Sequence, residues 1–370
     1  MSLVRLVEQL DRGRYESCVA LPSDGPLVSR LTAAGARVVV LPQLLKLTSR
    51  RGRLFLARFA VNYPRAVWSL VRFIRRERIA LVHTNTIHNL YGFAAARITG
   101  VPHVWHVREI VWQSGVLKRL ELWLTRRWST RLIVTSDAVA GMFGPRADWP
   151  PQLVKIPNGV ETDRFSPGDG AVTRAQLGAA PDQPLLGLVC RLDMWKGVEV
   201  FLDAAASLAA ARPHVRFAVV GGPIIGQEPY EGELRRRADR LGIADRVRFA
   251  GWQFDPAAMP DVHRALDVLV LASSEPEPFG LVILEAMATA KPVIATAHGG
   301  PLEICVEGET GLLVPPRDPA AMARAMIALI DDPARARAMG EAGRRRVLAR
   351  YTAERYVAAI ADVYQSLLGA

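Results

Sequence analysis

The stretch VLVLASSEPEPFGLVILEAMATAKPVIATAHGG, Val268–Gly300, decides how the rest of the chain is read. It begins and ends with short apolar runs, VLVLA and PVIATA, that are rich in β-branched residues and read as buried strands. Between them, GLVILEAMATA opens with a glycine and carries good helix formers, so it reads as a helix. Strand, helix and strand at this spacing point to a parallel α/β sheet. The same stretch sets a chemical question. Glu277 and Glu285 stand eight residues apart. That spacing suits a catalytic pair, a ligand clamp, or a helix with an acidic first turn.

Working outward, the alternation continues. In the first half SCVALP, ARVVVLP, IALVHTN, HVWHV and RLIVTS read as strands, separated by helical patterns near 1–12, 25–35, 55–78, 88–99 and 116–128. After KIPNGVETDRFSPGDG, whose Pro, Gly and Asp content reads as a linker, a second series follows: LLGLVCRL, VRFAVVGG, RVRFAG, VLVLASS, PVIATAHGG and TGLLVPP. The expected fold is α/β, with two Rossmann-like doubly wound domains over residues 1–165 and 166–351. A cleft between their strand ends is the expected ligand site. The opening MSLVRLVEQLDRG is amphipathic and helical. A doubly wound domain normally opens with a strand, so a first strand is expected to be missing, or the topology begins with a helix.

Composition narrows the class. The chain has 370 residues, half of them apolar and 22% charged, and so is globular. No apolar run approaches the ~18 residues of a membrane span. The N-terminus lacks a signal-peptide core. The three cysteines are scattered, which favours a reducing compartment over disulfides or structural zinc. A cytoplasmic protein is expected. The net charge of +11 is uneven: between Lys46 and Arg78 ten basic residues face one acid, Glu77. Leu, Phe, Val and Trp interleave with those arginines. Such a face suits an anionic membrane surface, or is the solvated back of a buried helix. Nucleic acid is not expected, because no recognition motif accompanies the charge.

Three segments at strand ends carry chemistry. CRLDMWKG (190–197) places Arg191 and Lys196 after LLGLV, where a fork of donors and a mobile point charge suit a diphosphate. SSEPEPFGLVILEAMA (273–288) puts Gly280 at a helix start, whose free N–H groups suit phosphate oxygen. Glu277 lies just outside that helix, within reach of sugar hydroxyls. Glu285 lies inside it among apolar residues, where an unpaired carboxylate is costly and a ribose diol is a fitting partner. The alternatives are solvated cations and acids that serve only the helix dipole. The glycine pairs in VVGGP (219–223) and AHGG (297–300) allow close backbone approach, with Gly221 at the first. Trp252, in FAGWQFD, either stacks on a base or packs. In the first half, HVWHVREI ends a strand with His106, placed to donate a hydrogen bond or move a proton. A structural histidine is the plainer reading there. HExxH, GxSxG and GxxxxGK[ST] do not occur, and no metal site is expected.

With these residues assembled, the chain resembles the family 4 glycosyltransferases, which have the two-Rossmann GT-B fold. CRLDMWKG, FAGW, EPEPFGLVILEAMATAKPVIATAHGG, EGETGLLVPPRD and IPNGVETDRF carry the resemblance, over roughly residues 150–320. It implies a retaining transfer of sugar from a UDP- or GDP-linked donor to a glycan or lipid-linked acceptor, with no cofactor or essential metal. It also implies a diphosphate held by Arg191 and Lys196, Glu277 near the donor sugar and Glu285 on the ribose. The backbone of Phe279, Gly280 and Leu281 would meet sugar and phosphate, and His106 would stand near the sugar. The last helix, about 352–370, would pack back on the first domain. A nucleotide-sugar 2-epimerase of the same fold and a non-catalytic nucleotide-binding module are the competing expectations.

Overall fold

The computed structural model describes residues 2–369 apart from 46–52, 113, 114, 225 and 254. They divide into two units, Met1–Gly159 with Ala353–Ala370, and Val160–Thr352.

The first unit opens with α1 (Ser2–Gln9), whose Val4, Leu6 and Val7 are buried. There follow β1 (Cys18–Leu21), α2 (Pro26–Ala33), β2 (Arg37–Val40), α3 (Arg53–Arg76), β3 (Val82–Thr84), α4 (Tyr91–Thr99), β4 (His103–Val107), α5 (Val116–Trp128), β5 (Arg131–Val134), α6 (Asp137–Ala140) and β6 (Leu153–Lys155). The strands fall into two parallel sheets: β1 pairs with β2, and β3, β4, β5 and β6 lie side by side in that order. Successive side chains alternate across the second sheet. Trp105, Val107, Leu132 and Val134 join a cluster that includes Leu117 of α5. Val104 and Ile133 point the other way, to Leu6 and Leu10 and to Tyr356 and Ile360 of the C-terminal helix. All the strand stretches read from the first half form strands, but as two sheets and not one.

The second unit holds β7 (Leu185–Val189), β8 (Arg216–Val220), β9 (Val247–Gly251), β10 (Val268–Leu271), β11 (Val293–Thr296) and β12 (Leu312–Val314) in one parallel sheet of order β12-β11-β10-β7-β8-β9. Its helices are α7 (Ala171–Gln176), α8 (Val198–Ala211), α9 (Glu228–Arg240), α10 (Met259–Ala265), α11 (Leu281–Ala288), α12 (Pro301–Ile304), α13 (Pro319–Ile330) and α14 (Pro333–Arg350). Both faces are covered, which explains the continuous apolar strands. Leu186, Phe217, Val219 and Val270 pack on one side, while Leu185, Ala218, Leu269 and Leu271 pack on the other. Each such large side chain contributes about 1.5–3 kcal/mol on burial. Strand order reverses at β7 and β10, and their carboxyl ends mark the place where ligands bind in such sheets.

The polypeptide leaves this unit at Tyr351–Thr352. There Val160 N–H donates to the Tyr351 carbonyl at 2.9 Å and Val160 bridges to Thr352. That pairing interrupts the helical run between α14 and α15 (Ala353–Leu368). It also ties Val160 and the core residue Phe165 to the second unit.

Candidate active site

The loops after β7 and β10 are locked together. A Cβ on Gly197 would stand 2.0 Å from the carbonyl of Ala272, so only glycine lets the 190–197 turn reach the end of β10. Gly197 also has φ 65° and opens α8. This contact brings Lys196 to Glu277. Lys196 Nζ donates to Glu277 Oε2 at 2.6 Å, and Ser273 Oγ donates to the same oxygen at 2.8 Å. The ammonium also lies 4.0 Å from the centre of the Trp195 ring. Glu277 is buried, and so is neither a free N-terminal acid nor a solvated one. Arg191, by contrast, is exposed. Cys190, beside them, has its thiol pushed up to about 12 by burial and stays protonated.

Gly280, at φ 95°, opens α11. Phe279 is buried against Tyr351, and Leu281 is the first helical residue, half-buried. Within α11, Glu285 turns inward: its Oε2 is 3.4 Å from Nε2 of His263, a fully buried residue of α10. The apolar neighbours of Glu285 thus include a buried histidine ring, close to the carboxylate but not hydrogen-bonded through either ring nitrogen.

The glycine pairs have a different use from the expected one. A Cβ on Gly299 would fall 2.3 Å from the Glu277 carbonyl, and one on Gly300 would fall 2.2 Å from that of Phe279. The Gly300 N–H donates to the Glu277 carbonyl at 2.8 Å. AHGG therefore accommodates the neighbouring loop and fixes Glu277 by its backbone. Likewise the space beside Gly221 is taken by the Cys190 carbonyl, 1.7 Å from where a Cβ would stand. Trp252 packs over Gly222 with its indole N–H on the Pro223 carbonyl at 3.1 Å, and keeps a partly exposed face.

In the first unit His106 is the penultimate residue of its strand. It lies within β4, fully buried, with its ring 5.3 Å from that of His83 and 6.4 Å from that of Tyr356. Neither ring nitrogen has a hydrogen-bond partner. Burial, followed by the nearby charge of Arg108, holds it well below the usual histidine range, and so neutral. The strand end is occupied by Arg108, which donates to Tyr356 Oη at 3.2 Å and to Asn158 Oδ1 at 2.5 Å. Alternation explains the burial: residue 106 shares a face of β4 with Val104, and that face is covered by the C-terminal helix.

Comparison with known proteins agrees with this architecture. Residues 171–346 match the model of the group 1 glycosyl transferases, and residues 1–164 match that of Glycosyltransferase Family 4. The lipopolysaccharide core biosynthesis mannosyltransferase LpsB of Rhizobium meliloti is 36% identical over 250 residues, covering 65% of this chain and 69% of the relative. The chain belongs to glycosyltransferase family 4. A D-inositol 3-phosphate glycosyltransferase of Catenulispora acidiphila is 39% identical over 63% of this chain, a match that spans 55% of that relative's length. Among solved structures, Anabaena HepE in complex with UDP and glucose superposes with a TM-score of 0.84 at 27% identity, over 99% of this chain and 95% of HepE. The sucrose-phosphate synthase of Thermosynechococcus elongatus gives 0.75 at 27% identity, over 95% and 99%. The fold of this glycosyltransferase is GT-B.

Two members of the transferase's cluster had no signal in the sequence. Ser273 is one of two adjacent serines, and only the turn after β10 selects it to meet Glu277. His263 is one of seven histidines and lies 22 residues from Glu285. Nothing short of the packing of α10 on α11 joins them.

Proposed function

We propose that this transferase moves a sugar from a UDP- or GDP-linked donor to a glycan or lipid-linked acceptor of cell-envelope or glycoconjugate synthesis, with retention at the anomeric carbon and without cofactor or metal. The carrying observation is the Lys196–Glu277–Ser273 cluster at the strand-order reversal, beside the glycine-opened start of α11. Three sources of positive potential lie on neighbouring loops: Arg191, Lys196 and the α11 amides. Together they suit a departing diphosphate, whose charge grows as the sugar leaves.

Glu277 has two tasks in this reading. It holds Lys196 in place before donor binds, and its other carboxylate oxygen accepts from a sugar hydroxyl. It is not a nucleophile. The acceptor enters on the face that the diphosphate vacates, which retains configuration. Glu285, beside His263, takes the ribose diol. The exposed face of Trp252 suits the base. His106 receives no proton-transfer step, because both its nitrogens are enclosed. The HepE complexes with UDP and UDP-glucose support a nucleotide-sugar donor.

A thermal-shift panel of nucleotide sugars, followed by nucleotide release with and without acceptor, tests the reading. The cognate donor raises Tm by linkage, and release accelerates with acceptor. A panel in which no donor shifts Tm sinks the proposal. Isomerised donor with no acceptor requirement points to an epimerase.

The acceptor side of the proposal includes peripheral contact with an anionic membrane from the cytoplasmic side. Val61 and Trp68 project from α3 at 68% and 52% exposure, among Arg58, Arg65, Arg72, Arg75 and Arg76. Lys46, Arg50 and Arg51 of the same basic stretch lie outside the described residues. No helix among the described residues is long and apolar enough to cross a membrane. Sedimentation with anionic vesicles that is lost in Trp68→Ser supports this contact. Equal sedimentation with neutral vesicles overturns it.

A further inference from the structure

Arg108 directly follows β4, at the carboxyl end of the four-stranded sheet of the first unit, where open α/β sheets bind ligands. Three oxygens hold its guanidinium. Nη1 donates to Tyr356 Oη at 3.2 Å, and Nη2 donates to Asn158 Oδ1 and Ser2 Oγ at 2.5 Å each. All three acceptors are neutral. Among the described residues no carboxylate forms an ion pair with Arg108. Glu109, next in the chain, turns its Oε2 to the backbone, accepting from the N–H groups of Ile87 and Arg108 at 3.4 and 3.3 Å.

Other half-buried arginines are neutralised by the protein itself: Arg174 pairs with Asp267 and Arg264 with Asp261, each at 2.8 Å. A cation drawn out of water is costly unless an opposite charge faces it. Neutral oxygens orient the fork at Arg108 but leave its charge whole. That charge is among the causes that hold His83 and His106 below the usual histidine range, after burial. Three of the five guanidinium N–H donors are used, and the Nε–H is neither bonded nor enclosed.

We infer that Arg108 is an oxyanion seat for the acceptor, so that the acceptor carries a phosphate or a carboxylate. A planar fork already fixed by three hydrogen bonds suits either group. The inference rests on the proposed transfer to a glycan or lipid-linked acceptor, and narrows that acceptor to an anionic one. The donor diphosphate is already matched in the second unit by Arg191, Lys196 and the α11 amides. A further uncompensated guanidinium in the first unit is therefore assigned to the other substrate.

The test titrates inorganic phosphate, and separately labelled acetate, into the full chain with its nucleoside diphosphate bound. The diphosphate site is then already filled, and binding is read from the line widths of the added anion. One of the two anions is expected to bind saturably, and which one tells a phosphorylated acceptor from a carboxylated one. Arg108→Gln is expected to weaken that binding about tenfold or more, with nucleotide affinity unchanged. Asn158→Asp gives the guanidinium a carboxylate of the protein's own. It is expected to abolish binding of the added anion and to keep Tm at or above wild type. Equal anion binding in wild type and Asn158→Asp, or in wild type and Arg108→Gln, overturns the inference. So does the absence of anion binding in a chain that binds nucleotide. A chain that binds no nucleotide at all removes the transferase reading, and this inference with it.

Discussion

The carboxyl ends of β7 and β10 in the second unit and of β4 in the first were both read as places for chemistry, and they are built differently. In the second unit the charged groups meet one another: Lys196 and Ser273 converge on Glu277, and Glu285 faces His263. In the first, His83 and His106 lie against each other, fully enclosed, with three of their four ring nitrogens unpartnered. The sheets account for the difference. Six strands in one sheet bury their apolar residues on both faces and push polar residues to the loops, where partners can be chosen. In the first unit the two rings belong to β3 and β4 themselves, so the packed layers on the sheet enclose them.

The largest effect expected from this contrast is at Glu277. Glu277→Gln keeps the shape but removes the charge that holds Lys196. Turnover at saturating donor is expected to fall by about 10²–10³, the scale of losing a preorganised electrostatic group. Wild-type turnover in that variant would mean that the cluster is structural, and the contrast between the two strand ends would lose its functional side. His106→Leu provides the opposing measurement, since turnover in it is expected to stay within a few-fold of wild type.

Next in size is the ribose clamp. Glu285→Ala is expected to weaken nucleotide binding about tenfold or more by calorimetry, the scale of a lost hydrogen bond to a charged group, with a smaller effect on turnover. Arg191→Ala reverses that ratio: it costs turnover more than binding and leaves Tm unchanged, because the side chain is exposed. If both variants change binding and turnover in the same proportion, the two residues do not have separate roles.

Much of this was legible before the structure. Short apolar runs marked every strand but β6, because a strand covered on both faces is continuously apolar, whereas β6 is only three residues long and ends in an exposed lysine. Glu277, Glu285, Arg191 and Lys196 were legible because strand ends and glycine turns place them. The strand HVWHV was read with its observed bounds, but that both ring nitrogens of His106 are enclosed depends on the layers packed against β4 and could not be read from it. The glycine pairs were correctly tied to close approach, but what approaches at Gly221, Gly299 and Gly300 is the protein's own backbone. Ser273 and His263 depend on contacts between elements and leave no periodic trace.

Acid separates the two strand ends again. His83 and His103 are lowered to about 3, chiefly by burial, and His106 is also lowered. A histidine near 6.5 when unfolded and near 3 when folded binds its proton only in the unfolded chain between those values. Stability is therefore full above pH 6.5 and falls as pH drops toward 3. At pH 5 each such histidine costs about 2 kcal/mol. Melting at pH 7 and pH 5 is expected to show the first unit destabilised by acid, and His106→Leu is expected to flatten that slope. A pH-independent melt would place these rings in contact with water.

The smallest effect is expected at the third acid of the opening stretch. Glu275 is ion-paired to Arg317, but the two side chains keep 37% and 65% exposure. Such a pair exchanges hydration for a Coulomb gain that water and salt largely screen, and exposed pairs contribute about 0–1 kcal/mol. Glu275→Ala is expected to leave turnover, nucleotide affinity and Tm near wild type. Two residues away, Glu277 makes its bonds to Lys196 and Ser273 where it is buried and water competes poorly. The two carboxylates share one loop and one helix start, so burial and partners are what separate them. A loss at Glu275 comparable to that at Glu277 would show that charge anywhere on this loop suffices, and the particular geometry of the cluster would then explain nothing.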